Sequence, residues 1–353
     1  PLGTTPNTSV NGPIYATAIA PNGDVYVGGD FTVAGTTTAN SIARWDGSRW
    51  HALGIGVNGT VNAIAIAKNG TVYVGGSFTR AGGAMANAIA QWNGFQWRSL
   101  NDNQAHARIY ALAVADNDLL YAGGLFTSIG ETSANCIARW THSRWSAMNS
   151  GVNSAVYAIA CRTGKVFIGG AFIVTSGNKL NGIAEWDGSR WLPLSEGVNG
   201  SVLALSLDGQ GQLYAGGDFT VAEASVNRVG RWDGSRWYAL GSGVNHDISA
   251  LVASADGNVY AAGYFSIAGG VVANRVAMWN NNTWSPLGSG INGTPAALAL
   301  SANRLYVAGV LTTAGEQPAH NLASWQLCNF LPSITPDSSL TLCPGSIGNL
   351  AAQ

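Results

Sequence analysis

Charged residues are scarce in this sequence. Only 10% of its 353 residues are Asp, Glu, Lys or Arg, only three residues are lysine, and the formal net charge is −1. Such a composition lacks the basic patch that neutralises a phosphate backbone, so no nucleic-acid partner is predicted. The chain also lacks a run of about 18 apolar residues, so no membrane insertion is predicted. No charged-then-apolar leader opens it, and we expect any secretion signal to have been removed.

Cysteine is also rare, with four residues in the chain. None lies in a CxxC or a Cys/His spacing typical of a metal site, so neither a metal nor another cofactor is predicted. Cys328 and Cys343 flank a short tail, where a disulfide would close a loop. Cys136 and Cys161 lie inside the repeat described below and are interpreted as buried thiols, while their pairing stays open. The cysteines give a slight preference for an oxidising compartment.

Glycine and tryptophan are abundant, with 47 and 13 residues. Segments of the VYVGG type recur seven times, on aromatic anchors 46 to 48 positions apart: Tyr26, Tyr73, Tyr121, Phe167, Tyr214, Tyr260 and Tyr306. Each copy holds four short runs with strand-like alternation, such as 61–67, 72–78, 88–92 and 97–100, separated by turn residues such as Asn-Gly. Four antiparallel strands repeated every ~47 residues are typical of a β-propeller blade. We therefore predict an all-β, seven-bladed β-propeller.

The two ends of the repeat array complement each other. The seventh copy stops after its third strand, NLASWQL, without a second tryptophan segment. Pro1-Leu2-Gly3 matches Pro286-Leu287-Gly288, which ends the sixth copy. The amino terminus is therefore predicted to add the fourth strand to the last blade, which removes two free sheet edges.

All tryptophans occupy two repeat positions, on either side of a turn such as that in RWDGSRW. If Gly47-Ser48 is the hairpin loop, Trp45 faces Trp50, and Asp46 forms an ion pair with Arg49 on the other side. We predict that the rings pack between blades. The alternative is that each pair stacks on a sugar. The full set is Trp45, Trp50, Trp92, Trp97, Trp140, Trp145, Trp186, Trp191, Trp232, Trp237, Trp279, Trp284 and Trp325.

Two further repeat positions are asparagines. One precedes the third strand and is predicted to bond loop backbone or adopt a left-handed conformation; it comprises Asn40, Asn87, Asn135, Asn181, Asn227, Asn274 and Asn321. The other lies in the GVNG link before each first strand, which we expect at the mouth of the central channel. Turn formation explains most of this second set. Departures from the repeat at this mouth are where a ligand site could lie. The candidate ligand residues are Asn11, Asn58, His106, Arg108, Asn153, Asn199, Asn245, His246, Asp247 and Asn292.

The repeat VYVGGxFTxAGGxxANxIARWDGxxWxxLG resembles the kelch-type repeat of secreted bacterial surface propellers, and is similar to the fungal cortical-marker ectodomain. The likeness covers about residues 1–327 and implies a propeller domain there. Its aromatic-to-Trp spacing of five departs from intracellular kelch repeats. The tail SITPDSSLTLCPGSIGNLAAQ resembles the start of an Ig-like domain, so residues 328–353 are predicted to be a linker and an incomplete Ig-like domain, with further domains of a longer chain expected.

No enzyme motif is present. The five histidines, His51, His106, His142, His246 and His320, occupy different repeat positions, and no HExxH, Asp box or Ser/His/Asp spacing is found. We predict a non-catalytic binding or structural module of a secreted or cell-surface, adhesin-like protein, whose partner is an extracellular protein or glycan. The alternatives are a multivalent lectin with sites between blades and, third, a hydrolase or oxidase that uses the channel mouth.

Overall fold

The computed structural model describes residues 9–100, 107–141, 143–162, 164–175, 177–222 and 224–327. The described part of the chain is built of β-strands and turns, without a helix. Its strands form seven antiparallel sheets, which we number as blades 1 to 7 at residues 14–52, 60–99, 108–147, 156–193, 202–239, 248–286 and 291–326. The protein is a seven-bladed β-propeller, as predicted.

Blades 1 to 6 each have the strand order first, second, third, fourth, and the first three of these strands are described in blade 7. The first strands are Ile14–Ile19, Thr60–Ile66, Arg108–Val114, Val156–Arg162, Val202–Leu207, Ile248–Ala253 and Ile291–Leu300. The second strands are Val25–Gly29, Val72–Ser77, Leu120–Leu125, Lys165–Gly170, Leu213–Gly217, Val259–Gly263 and Arg304–Ala314. The third strands are Ile42–Trp45, Ile89–Trp92, Ile137–Trp140, Ile183–Trp186, Val229–Trp232, Val276–Trp279 and Leu322–Gln326.

The fourth strands of blades 1 to 6 are Trp50–Ala52, Trp97–Ser99, Trp145–Ala147, Trp191–Pro193, Trp237–Ala239 and Trp284–Pro286. A small hairpin that the sequence patterns did not predict connects the second and third strands of these blades. Its two-residue strands are Val33–Ala34 with Thr37–Thr38, Arg80–Ala81 with Ala84–Met85, Ser128–Ile129 with Thr132–Ser133, Val174–Thr175 with Asn178–Lys179, Val221–Ala222 with Ala224–Ser225, and Ile267–Ala268 with Val271–Val272. In blade 7, Gln317–Pro318 pairs with the long second strand.

The seven first strands line the axis, and each contacts the first strand of the next blade. The ring is closed because the first strand of blade 1 also contacts that of blade 7. Val10 and Ile14 share a hydrophobic cluster with Ala308 and Leu322 of blade 7, and the Asn321 side chain donates to the Val10 carbonyl at 2.9 Å. The predicted fourth strand of blade 7, at Pro1-Leu2-Gly3, lies outside the described residues. So do the predicted Ig-like segment and the Cys328–Cys343 disulfide.

A Gly-Gly pair in the second strands of blades 1 to 5, replaced by Ala262-Gly263 in blade 6 and Ala308-Gly309 in blade 7, marks close approach between strands. A Cβ on Gly28 would lie 2.4 Å from Val61 Cγ1 in the neighbouring blade. A Cβ on Gly29 would lie 2.0 Å from the Pro13 carbonyl oxygen of its own blade. At the border between blades 1 and 2, the neighbouring Val61 thus packs where the second strand has no side chain.

The tryptophans pack between blades, as predicted. In blades 1 to 6 the two rings of each pair lie 5.1–5.7 Å apart in tilted geometry. Ten of the rings are buried, and those of Trp92, Trp97 and Trp325 are half-buried. In blades 2 to 6 the second indole N–H also donates to a carbonyl that follows the preceding blade, as Trp145 does to Leu100 at 2.6 Å. In blades 2 to 6 each pair therefore joins two blades by packing and by one hydrogen bond, whereas the Trp50 indole N–H of blade 1 has no partner among the described residues.

Candidate functional site

The propeller has two faces with different connections. We name as the turn face the one formed by the links that enter the first strands and by the hairpins between second and third strands. The opposite face carries the first-to-second and third-to-fourth connections. All candidate ligand residues predicted from the sequence and described in the structure lie on the turn face, as the strand order requires. His106 lies outside the described residues.

The asparagines of the GVNG links hold the turn face together. The Oδ1 of Asn58 accepts the backbone N–H groups of Thr79 at 2.9 Å and Arg80 at 2.7 Å, and its Nδ2 donates to the Thr79 hydroxyl at 2.9 Å. The same two backbone bonds recur at Asn11, Asn153, Asn199, Asn245 and Asn292. Each side chain thus fixes a link to the hairpin of its own blade. This is the turn role that the sequence favoured, and a ligand role for these amides stays a prediction.

The asparagines before the third strand bond the loop backbone of the next link, as predicted. Asn40 donates to the Ile55 carbonyl at 2.8 Å, and its own carbonyl accepts the Val57 N–H. In blade 1 the left-handed conformation falls one residue later, at Ser41 with φ +62°, whereas Asn181 and Asn227 themselves have positive φ, +49° and +26°. Placing Asn321 in this set was wrong by one position, because Asn321 has φ +68° and the preceding carbonyl, that of His320, accepts the Val10 N–H. Asn321 therefore matches Ser41, and His320 matches Asn40.

The repeated aspartate of the opposite face closes the third-to-fourth turn. Asp46 Oδ1 accepts the backbone N–H groups of Ser48 at 2.8 Å and Arg49 at 2.9 Å. The predicted ion pair is loose, at 3.8 Å from Arg49 Nε, whereas the His51 ring nitrogen lies 2.6 Å from Asp46 Oδ2. The His51 bond, followed by those from Ser48 and Arg49, lowers the pKa of the Asp46 carboxyl below its usual range. RWDGSRW, which looks like an active-site loop, is therefore a blade turn.

Two of the predicted departures from the repeat occupy one structural position on opposite sides of the ring. Arg108 of blade 3 and Asp247 of blade 6 stand where the other blades carry Pro13, Thr60, Ala155, Ser201 or Thr294. Asp247 lies 3.4 Å from Arg228 Nε, and its backbone N–H donates to the His246 ring. The His246 ring also lies near that of Tyr264, with centroids 6.1 Å apart. Arg108 is exposed and has no ion-pair or hydrogen-bond partner among the described residues.

Clefts open on the turn face at equivalent borders between blades. The cleft between blades 1 and 2 has a volume of about 460 Å³, that between blades 4 and 5 about 540 Å³, and that between blades 3 and 4 about 700 Å³. We name the last the 3/4 cleft. Its lining comprises Arg108, Leu125, Phe126, Thr127, Asn135, Cys136, Ser150, Gly151, Val152, Asn153, Val174 and Thr175. Volumes in this range are typical of ligand pockets.

The sequence patterns missed a set of channel-lining residues. Each first strand has a β-bulge near its start, and the bulged residues are Tyr15, Asn62, Tyr110, Tyr157, Leu203, Ser249 and Ala296. Tyr110 and Tyr157 of adjacent blades pack with ring centroids 5.6 Å apart. A strict alternation of inward and outward side chains does not predict these positions, because a bulge shifts the side-chain period locally. The repeated Ile-Tyr-Ala or Val-Tyr-Ala triplet was the available signal.

The cysteines of the repeat are free thiols, as interpreted from the sequence. Cys136 is buried, and burial raises the pKa of its thiol. Burial and the nearby Asp116 raise the pKa of Cys161 to about 12. Both thiols are therefore protonated at neutral pH and are weak nucleophiles.

Neither a metal cluster nor a spanning helix is found in the described ranges. No group of three or more His, Cys, Asp or Glu side chains there is arranged to hold a metal ion. No helix in those ranges is long and apolar enough to cross a membrane.

Comparison with known proteins finds one family model that matches less than half of the chain, and solved structures that share the propeller fold. Residues 4–154 match the model of the Rax2 C-terminal beta propeller domain. No curated protein matches the sequence.

Solved propellers share the architecture at low sequence identity. The computationally designed Ika8 protein superposes with a TM-score of 0.56 at 16% identity, covering 93% of this chain and 100% of that one. Virginiamycin B lyase from Staphylococcus aureus gives 0.52 at 15% identity, covering 90% and 96%. The extracellular domain of the hybrid two component system BT3049 from B. thetaiotaomicron gives 0.59 at 11% identity, covering 92% of this chain and 40% of that one. These likenesses show the propeller fold.

Proposed function

We propose that this chain is a non-catalytic binding module of a secreted or cell-surface protein, and that its turn face contacts the partner. The observation that carries the proposal is the placement of the irregular residues. Tryptophans, glycines and repeated asparagines are engaged in packing and turn bonds, whereas Arg108, His246 and Asp247 break the repeat on one face. A rigid ring with a variable loop face is a common basis for binding.

Three observations support the extracellular setting. The surface carries few charges, the amino-terminal half of the propeller matches the Rax2 propeller model, and one structural neighbour is an extracellular domain. We further propose a role in adhesion, because a propeller repeated with little variation gives a stable scaffold on which loop residues can change.

A lectin is the second candidate, and the repeated clefts favour it. Three blade borders have clefts at equivalent positions, which is the arrangement expected for multivalent binding. The hypothesis that each Trp pair stacks on a sugar has little support, because ten of the indoles are buried. A sugar would therefore contact the turn-face clefts.

The test is a binding screen against arrays of glycans and extracellular proteins with matched variants. A double variant, Arg108→Thr with His246→Gly, gives two turn-face positions the residues of other blades. Phe95→Ala changes a residue of the opposite face that is 90% exposed and serves as the control. We expect the turn-face variant to lose a binding signal that Phe95→Ala keeps. The reverse result, or turnover of a bound ligand, would contradict the proposal.

A further inference from the structure

The 3/4 cleft differs from its counterparts in charge. Among its described lining residues, Arg108 is a cation and no residue is acidic. The cleft between blades 1 and 2 contains both Asp30 and Arg80, and that between blades 4 and 5 contains Glu196 without a cation. The positive charge of the 3/4 cleft is thus uncompensated within the part of the chain that the structure describes.

The 3/4 cleft contains a second hydrogen-bond donor, Asn153 Nδ2, that has no partner among the described residues. In blades 1, 2, 5 and 6 the link asparagine donates its Nδ2 to a hairpin hydroxyl, as Asn199 does to Thr220 at 3.1 Å. Blade 4 has Ile173 at the hydroxyl position. Asn153 Oδ1 keeps its bonds to the Ile173 and Val174 N–H groups, but Nδ2 has no acceptor among the described residues. Arg108 and Asn153 therefore present free donors to one cavity.

The floor of the cleft is also specific to this border. Thr175 is buried where the other blades carry Ala or Ile, and its hydroxyl donates to the Gly151 carbonyl and contacts the Ser150 hydroxyl at 3.1 Å. This bond holds the link beside Asn153. On the opposite wall, Leu125 stands next to Arg108 in register and is 49% exposed. The cleft thus combines a fixed polar wall, an exposed apolar side chain and two free donors.

We propose that the 3/4 cleft binds a carboxylate-bearing sugar, with Arg108 and Asn153 donating to the carboxylate and Leu125 contacting the apolar face of the ring. This inference rests on the proposed binding function and assigns its ligand class. A guanidinium is the side chain best suited to a carboxylate, which it binds in a bidentate manner. A cation beside an amide donor, with no acidic residue in the described lining, favours an anion over a neutral ligand. A cleft of about 700 Å³ whose lining combines hydroxyls and amides with apolar side chains such as Leu125 and Phe126 suits a short saccharide, which has hydroxyls and an apolar ring face.

The test is calorimetric titration of the intact chain with a glucuronate-containing disaccharide, its neutral glucose counterpart and a short acidic peptide. We expect the uronate to bind at least about tenfold more tightly than the neutral sugar, and Arg108→Gln to remove that difference. Ile173→Thr restores the hydroxyl that other blades have, so it should keep the fold and weaken uronate binding severalfold by engaging Asn153 Nδ2. Arg80→Gln, in the cleft between blades 1 and 2, should leave binding unchanged. Thermal melting confirms that each variant is folded.

Each other result overturns the assignment. Equal binding of both sugars, full affinity in Arg108→Gln, an equal loss in Arg80→Gln, or no uronate binding at about 10 mM would contradict it. If the acidic peptide binds and the uronate disaccharide does not, the ligand is an acidic peptide and the proposed sugar is contradicted. If the array screen finds a turn-face ligand that does not depend on Arg108, the proposed function stands and only this inference fails.

Discussion

At the scale of single residues, the tryptophans show how one residue type serves two bonding roles. Trp232 and Trp237 form one pair in blade 5, with centroids 5.6 Å apart and both rings buried. Trp237 Nε1 donates to the Leu194 carbonyl at 3.3 Å, whereas Trp232 Nε1 is buried without a partner among the described residues. Two chemically identical substitutions in one pair can therefore separate ring packing from hydrogen bonding.

We expect Trp237→Phe to lower the free energy of unfolding by about 1–3 kcal/mol more than Trp232→Phe. Both changes remove similar ring area. The first also breaks the inter-blade hydrogen bond to the Leu194 carbonyl, which keeps only the Gly197 N–H, whereas the second removes a buried N–H that has no partner among the described residues. Urea unfolding followed by circular dichroism gives the two values. Equal losses would show that the inter-blade hydrogen bond contributes nothing beyond packing.

The turn aspartates give a pH dependence with a definite sign. Backbone N–H groups of Arg190 and Ser189 lower the pKa of Asp187 to about 2. Because the usual value is about 3.9, the unfolded chain takes up this proton first as the pH falls. The stabilisation is complete above about pH 4 and is lost as the pH falls through about 2.

We expect Asp187→Asn to keep the turn, because Asn93 and Asn280 accept the same backbone bonds in blades 2 and 6. The variant should be slightly less stable than the wild type at neutral pH and equally stable at the lowest pH. Melting temperatures between pH 2 and pH 7 measure this convergence. A difference in melting temperature between the wild type and Asp187→Asn that stays constant with pH would show that the Asp187 carboxylate does not cause the pH dependence.

At the scale of elements, the link asparagines attach each entering turn to the hairpin of its blade. Asn199 accepts the N–H groups of Thr220 at 2.8 Å and Val221 at 2.9 Å. Without these bonds, the two hairpin N–H groups would need water as their hydrogen-bond acceptor. The link of blade 5 is thus held both by the Asn199 side chain and by its backbone N–H, which donates to the Val221 carbonyl at 3.1 Å.

We expect Asn199→Ala to lower the free energy of unfolding by about 1–3 kcal/mol, because two backbone donors lose their acceptor. Asn199→Asp keeps the oxygen acceptor and should lose less than half as much. Chemical unfolding measures both, and amide hydrogen exchange at Thr220 and Val221 should rise only in the alanine variant. Equal effects of both substitutions would show that the Asn199 side-chain oxygen does not hold the hairpin backbone.

At the scale of the whole molecule, the ring closes between blades 7 and 1. The described contact consists of Val10, Ile14, Ala308, Leu322 and Asn321. The third strand of blade 7, Leu322–Gln326, has no fourth-strand partner among the described residues. The sequence predicts that Pro1-Leu2-Gly3 supplies that strand.

We therefore expect deletion of residues 1–8 to lower the melting temperature by about 5 °C or more, because a free edge and a looser closure remain. Deletion of residues 328–353, predicted to lie outside the propeller, is the control and should leave the melting temperature unchanged. Differential scanning calorimetry measures both. A stable chain without residues 1–8 would refute closure by the amino terminus.

The sequence by itself determined the repeat, the number of blades and the packing of the indoles. Seven copies of one four-strand pattern, with tryptophans at two positions, allow few other ways to bury their apolar faces. It also determined that residues such as Arg108 and Asp247 depart from the repeat pattern on one face.

Only the tertiary structure decided which of these breaks come together. Arg108 and Asn153 belong to different blades, and a border between blades is set by long-range packing that no local pattern encodes. The bulges at Tyr110 and Tyr157 depend on how neighbouring strands pair. The one-residue shift at Asn321, by contrast, was available in the sequence, because Asn321 lies four residues before Trp325 whereas Asn40 lies five before Trp45. Thr175, an unremarkable threonine in the sequence, becomes part of a site because folding places its hydroxyl beneath the link of its own blade.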